Sequence, residues 1–236
     1  MSAGRPPRIQ VTGRSRAGKS TVRNALSLIS AEETAPLDVP GQPDPVLDGD
    51  LLLYILPGVL GPADRRVLAT LPPDRTLVVL NKADTIGTRW SDAALTADRH
   101  TTALGIPTFP VVASLAVHTR AGTFTESDLR TLHRHRTRTD PAFTLTPDLF
   151  TDPAVAEDTP ARRTLLTRWD LYGISCALTA LRHNPTLHPH PLLQILHSAS
   201  GIDPLHQALH RHYQQATTRL TRESPTHQAD PAPDNE

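Results

Sequence analysis

Apolar and polar residues recur along this chain with two periods, one of two residues and one near three and a half. Arg8-Ile9-Gln10-Val11-Thr12 alternates and carries β-branched residues, the pattern of a strand. Val22, Ala25, Leu26 and Ile29 then recur at helical spacing, so a strand, a Gly-bounded loop and a helix occupy about 8–30. Leu51-Leu52-Leu53-Tyr54-Ile55-Leu56 is a near-continuous apolar run, as in a strand buried on both faces. Ala63 to Leu71 reads as a helix ended by Pro72-Pro73, and Thr76-Leu77-Val78-Val79-Leu80 as another buried strand. A helix over about 91–104, a strand over about 107–113 and a helix over about 125–136, opened by Thr125 and Glu126, follow. This alternation predicts an α/β fold, with a parallel sheet of about five strands covered by helices on both faces.

The alternation stops near Asp140. Residues 140–159, rich in Pro, Thr and Asp, read as a linker or an irregular docking segment. Thr159-Pro160 supplies an N-cap and a first-turn proline for a helix running to about Arg182. That helix has two apolar stripes, Leu165, Trp169, Tyr172, Cys176 and Leu171, Ile174, Leu178, Leu181, and is expected to dock on its own domain. Pro191 opens a short helix ending at Gly201, and Asp203-Pro204 starts the next. The last helix carries Leu205, Leu209, Tyr213, Ala216 and Leu220 on one face, which is expected to meet a partner. The predicted organisation is an α/β domain over 1–139 with a frayed lead-in at 1–7, a linker over 140–159, a small C-terminal α-helical subdomain over 160–222 and a disordered tail over 223–236.

Composition narrows the class. The 236 residues are 38% apolar and only 4% aromatic, with 24 basic and 24 acidic side chains, so net charge points to neither nucleic acid nor an acidic membrane. A single cysteine, Cys176, excludes an internal disulfide framework and fits a reducing compartment. Met1 to Arg8 lacks the apolar core of a signal peptide, and the apolar run Leu51 to Leu60 contains Pro57 and is too short to span a bilayer. A cytoplasmic location is expected.

The candidate chemistry sits at the ends of the predicted strands, where parallel sheets bind ligands. Gly13-Arg14-Ser15-Arg16-Ala17-Gly18-Lys19-Ser20 fits G-x-x-x-x-G-K-[ST] between a strand and a helix, with Thr21 next. Backbone N–H groups of such a loop point at phosphate. Lys19 adds a point charge toward the β- and γ-phosphates, and is expected to be solvated when no phosphate is bound. Ser20 offers a hydroxyl ligand for Mg²⁺.

Asn81-Lys82-Ala83-Asp84 fits N-K-x-D directly after a buried strand. Guanine presents two adjacent donors, a ring N–H and an amino group, and a carboxylate accepts both, so Asp84 is the expected base reader. The Lys82 stem packs along the base and Asn81 ties this loop to the phosphate loop. The pair favours GTP or GDP over adenine nucleotides. Asp38-Val39-Pro40-Gly41 fits D-x-x-G, although D-x-P-G is also good turn chemistry. In the functional reading Asp38 holds Mg²⁺ through water, Gly41 N–H meets the γ-phosphate, and Gln42 orients the attacking water. Ser114 and Leu115, after the last strand, offer a backbone contact to the guanine carbonyl. Twelve histidines, among them His206, His210 and His212, lack a metalloprotease-type signature and read as solvated or packing groups. The Arg- and His-rich stretch over 130–138 reads as a solvated helix face.

These motifs resemble the translation-factor-related class of P-loop GTPases. Within it, Gly13 to Thr21 is similar to bacterial dynamin-like proteins of actinobacteria, including the isoniazid-inducible group. Val111 to Ala116, Gly122 to Glu126, Leu171-Tyr172-Gly173 and Ser200-Gly201-Ile202 carry further likeness. The resemblance implies a P-loop NTPase fold, GTP/GDP and Mg²⁺ as cofactors, and GTP hydrolysis. It also implies a larger dynamin-like protein or a second copy as partner, and peripheral contact with the inner face of a membrane. No nucleic-acid partner is expected.

The chain departs from that class in length. Only 18 residues (positions 20 to 37) separate Lys19 from Asp38. A first helix of eleven or twelve residues, about the usual length, leaves about 31–37 for one loop and one short strand. An antiparallel edge strand and the first switch loop are therefore expected to be missing. The threonine that caps γ-phosphate and Mg²⁺ has no counterpart, Thr34 being a poor candidate. Two functions follow: a slow GTPase of dynamin-related type, or a reduced, weakly hydrolysing GTP-binding regulatory partner of a larger dynamin-like protein.

Overall fold

Five strands build one sheet in the order β2-β1-β3-β4-β5, every neighbouring pair parallel: β1 (Ile9–Gly13), β2 (Glu32–Glu33), β3 (Leu51–Pro57), β4 (Thr76–Asn81) and β5 (Thr108–Val111). The computed structural model describes residues 5–120, 122 and 124–223; the tail beyond 223, positions 1–4 of the lead-in and Thr123 lie outside them. The helices are α1 (Lys19–Ala25), α2 (Pro62–Leu68), α3 (Trp90–Leu104), α4 (Ala113–Arg120), α5 (Glu126–His135), α6 (Pro147–Thr151), α7 (Thr159–His183), α8 (Pro189–Ala199) and α9 (Ile202–Glu223).

Strand side chains alternate between faces, so each central strand feeds two cores. Val11, Leu53, Ile55, Leu77 and Val79 pack with Val22 and Ala25 of α1, Ala116 of α4, and Leu205 and Leu209 of α9. Leu52, Tyr54, Leu56, Val78 and Leu80 face the other way, onto Val67 and Leu68 of α2 and Ala97 of α3. The apolar run of β3 is thus buried on both sides, each Leu contributing about 1.5–3 kcal/mol.

The edge of the sheet follows from the short spacing. β2 is two residues long, pairs Gln10 with Glu32 and Val11 with Glu33, and continues through Thr34 N–H on Val11 O at 3.0 Å. Among the described residues no antiparallel strand flanks it. α1 is shorter than expected. It ends because Ser27 turns left-handed (φ 54), with Ser27 N–H on Asn24 O and Leu28 N–H on Arg23 O. Ile29, expected on the helical stripe, lies beyond that turn and is 93% exposed.

A third core lies beside the sheet, where Leu115 of α4, Leu129 and Leu132 of α5, and Phe143 and Phe150 meet Leu165, Trp169, Ile174 and Leu178 of α7 and Leu192 of α8. The double stripe of α7 does dock on its own chain. The 140–159 stretch is held there by Arg162, which is fully buried and donates to the carbonyls of Phe150, Asp152 and Ala156 and to Asp158. α9 corrects an expectation. Its stripe does not await a partner: Leu205, Leu209 and Ala216 are 0%, 5% and 2% exposed against the sheet face shared with α1 and α4. That face needs a cover, and α9 returns across β3 and β5 to provide it. No described helix is long and apolar enough to cross a membrane.

Candidate functional site

The loop after β1 adopts a conformation that side chains other than hydrogen rarely allow. Gly13 has φ 144, and a Cβ there would lie 2.4 Å from Ile55 O. Gly18 has φ 90, and a Cβ would lie 2.4 Å from Asn81 Nδ2. Both glycines of the motif are therefore required by the close approach of β3 and β4.

Within the loop, Arg14 is anchored outward, its Nε on Asp64 Oδ1 at 3.1 Å and its Nη2 on Val59 O at 2.9 Å. Ser15 N–H donates to Asp38 Oδ1 at 2.7 Å. Arg16 is left-handed (φ 57) and its carbonyl accepts from Lys82 Nζ at 3.3 Å. Ala17 is buried and its carbonyl accepts from Asn81 Nδ2 at 3.0 Å. Lys19 corrects the expectation of a solvated ammonium: it is 7% exposed, with Nζ on Gly13 O at 3.2 Å and Arg14 O at 3.3 Å. The loop carbonyls satisfy it locally, which keeps the charge centred on the loop. Ser20 Oγ lies 2.8 and 3.0 Å from the carboxylate oxygens of Glu33, and Thr21 is half-buried on the next position of α1.

Asn81 joins three elements. Its Nδ2 holds the phosphate-type loop and its Oδ1 accepts Ala113 N–H at 3.3 Å, at the start of α4. Lys82 is left-handed (φ 58), which turns the chain sharply out of β4 toward Arg16. Asp84 is an exposed residue whose carboxylate is crowded on one side. Partial burial, chiefly, and to a smaller degree the charge of Asp170 push its pKa above the ordinary carboxylate value, while its own backbone N–H and then Lys82 pull it back. Ser114 and Leu115 lie in the first turn of α4, with the Leu115 side chain buried in the α7 core.

The loop after β2 is less engaged. Asp38 reaches the phosphate-type loop, but Gly41 (φ 76) and Gln42 sit in an exposed turn closed by Gln42 N–H on Val39 O at 3.2 Å. No hydrogen bond joins either to the loop among the described residues. Thr34 is 8% exposed, with its Oγ1 on Thr12 Oγ1 at 2.9 Å, and so points into the sheet.

No protein-family model matches the chain, and no curated protein matches it. Among solved structures it is similar to the cytosolic domain of the T. maritima FeoB iron transporter in GMPPNP form. The two share 10% identity over 93% of this chain and 99% of that one, with a TM-score of 0.32. A likeness that distant decides nothing about the site, which stands on its own geometry.

Three residues with a place in this geometry escape motif reading. Glu33 reaches Ser20 because β2 runs parallel beside β1; its only sequence signal is its place in the short segment before Asp38. Asp64 is fully buried and accepts from Tyr54 OH at 2.8 Å and Gly61 N–H at 2.8 Å besides Arg14, so it positions the outer side of the loop. It stands at the third position of α2, where an acidic capping residue is expected. Burial and Asp64 together push the Tyr54 phenol well above its usual pKa. Asp170 lies inside α7, where nothing in the sequence marks it.

Proposed function

We propose that this chain binds guanine nucleotides and hydrolyses GTP slowly. The observation that carries the reading is Asn81, one buried side chain that clamps the G-x-x-x-x-G-K-S loop to the N-K-x-D loop and the start of α4. Phosphate-binding and base-reading residues are thereby held in one rigid frame. Loop N–H groups would hold the phosphates, and Lys19 Nζ, already centred on the loop, would add its charge to the β- and γ-phosphates. Asp84 would take the ring N–H and amino group of guanine, with the Lys82 stem beneath the base. The first-turn N–H groups of Ser114 and Leu115 are free of helical partners and would face the guanine carbonyl.

For Mg²⁺, the donor set fits. Ser20 Oγ and the Glu33 carboxylate present hard oxygen ligands at one point, as Mg²⁺ prefers, with Asp38 at the loop rim. The ion bound there would neutralise charge on the β- and γ-phosphates. Slow hydrolysis follows from Thr34 pointing into the sheet and Gln42 standing in an exposed turn. Among the described residues, neither a γ-phosphate cap nor a water-orienting amide then stands at the loop. The dynamin-related type rests on the likeness of Gly13 to Thr21. The same two gaps favour the second reading, a regulatory partner of a larger dynamin-like protein that binds GTP without turning it over.

Competition against a fluorescent GDP, paired with multiple-turnover phosphate release, tests these readings. GTP and GDP are expected to displace the probe at concentrations where ATP does not; equal displacement by ATP overturns the guanine assignment. Phosphate release no faster than that of Lys19→Ala selects the regulatory reading over the enzyme.

A further inference from the structure

A cavity of about 830 Å³ opens beside the loop that follows β4, within the size range of small-molecule clefts. Asp84 and Thr88 line it on the sheet side, and Asp170, Leu171, Tyr172 and Ile195 line it from α7 and α8. Where the cavity meets α7 the helix is interrupted: Asp170 has φ 53 and ψ 172. Trp169 before it and Ile174 after it are 2% and 0% exposed, so both halves of the helix are anchored and the break is held in place. The Asp170 side chain is fixed by Leu171 N–H on its Oδ1 at 2.7 Å. The neighbouring cation of α7, Arg168, is engaged with Asp128 at 2.9 Å. Neither Asp84 nor Asp170 makes an ion pair among the described residues.

We propose that the amino-bearing edge of the base reaches this cavity at Asp84 and that Asp170 is a second specificity residue, accepting from the exocyclic amino group of a guanine whose ring N–H is read by Asp84. The proposal rests on the guanine reading above. The amino group carries two hydrogens. Asp84 takes one together with the ring N–H, and the other points away from Asp84, where a second acceptor completes the edge. Leu171, Ile195 and Thr88 line the same cavity. Both carboxylates line the one cavity, and the charge of Asp170 adds to the upward push that burial gives the Asp84 pKa. A base edge rich in N–H groups relieves that repulsion. Hypoxanthine, which lacks the amino group, relieves only the Asp84 part, and xanthine, with a carbonyl in its place, meets repulsion from both.

The test compares GDP with IDP, its hypoxanthine counterpart, by calorimetric titration of the whole chain. The wild type is expected to prefer GDP. Asp170→Gly removes the carboxylate and suits the left-handed backbone, so it should raise the unfolding midpoint by about 2–4 °C. GDP affinity should fall about tenfold or more in that variant, the loss of a hydrogen bond to a charged acceptor, while IDP affinity stays within about twofold. Asp170→Asn, which keeps the size of the side chain, should lose GDP affinity by a smaller factor with IDP again unchanged. An unchanged GDP-to-IDP ratio in either variant overturns the Asp170 assignment alone. A wild type that binds neither nucleotide overturns the guanine reading, and the assignment with it.

Discussion

Asn81→Ala is the perturbation that probes the frame of the site most sharply. Asn81 is 3% exposed, and its two hydrogen bonds satisfy backbone groups that are themselves buried, Ala17 O and Ala113 N–H. Truncation leaves both without a protein partner. Each buried orphan costs about 1–3 kcal/mol, so the variant should lose about 2–6 kcal/mol of stability, less where water enters the space vacated. Asn81→Asp separates the two bonds: a carboxylate oxygen still accepts from Ala113, but the other has no hydrogen for Ala17 O and repels it at contact distance. It should destabilise as much as the alanine variant. Urea unfolding followed through tryptophan fluorescence reports the stability, since Trp169 is buried in the α7 core. GDP titration reports the site, where a fall of about tenfold or more is expected once the loop is no longer tied to β4. A loss below about 0.5 kcal/mol, the level of an ordinary surface change, with GDP affinity intact would refute the role given to Asn81.

Burial holds the His135 pKa below 6.5 against the pull of Asp158, consistent with a neutral ring that donates Nε2–H to Asp158 and accepts Arg138 Nε at Nδ1. The unfolded chain binds that proton more readily, so stability should hold above about pH 7 and decline as pH falls through 6.5 toward the depressed value. His135→Gln should flatten that slope in urea midpoints between pH 5 and 8; an identical slope in both proteins counts against it. Leu209→Asp places a carboxylate in the α9–sheet core and should unfold the chain or cost more than about 4 kcal/mol, measured by thermal melting. A stable, merely dissociated protein would mean that α9 serves an interface after all.

The sheet was legible because parallel strands buried on both faces leave unbroken apolar runs, as in Leu51 to Leu56 and Thr76 to Leu80. Spacing alone foretold the shortened edge, since positions 20 to 37 hold one helix and one short strand and no more. Other features hide in tertiary terms. α4 begins within two residues of β5 and carries Ala, Ser, Val and Thr rather than a strong amphipathic pattern, so it passes for loop. The stop of α1 uses a left-handed serine where glycine is the usual signal. An apolar stripe on α9 says that a face is buried, not what buries it. The motif residues of the candidate site were visible, yet Glu33 and Asp64 reach its loop from β2 and α2, and no local pattern encodes those meetings.

The proposed role of Asp84, reading guanine in a site built on the Lys19 loop, is tested most directly by a swap of base specificity. An amide at this position offers a hydrogen to the xanthine carbonyl that a carboxylate repels. Titration of wild type and Asp84→Asn with GDP and its xanthine counterpart XDP should therefore show reciprocal preference: GDP bound by the wild type, and XDP gained by the variant as GDP is lost. Loss of both nucleotides would place Asp84 in the frame rather than on the base, and unchanged GDP binding in Asp84→Asn would contradict the claim outright.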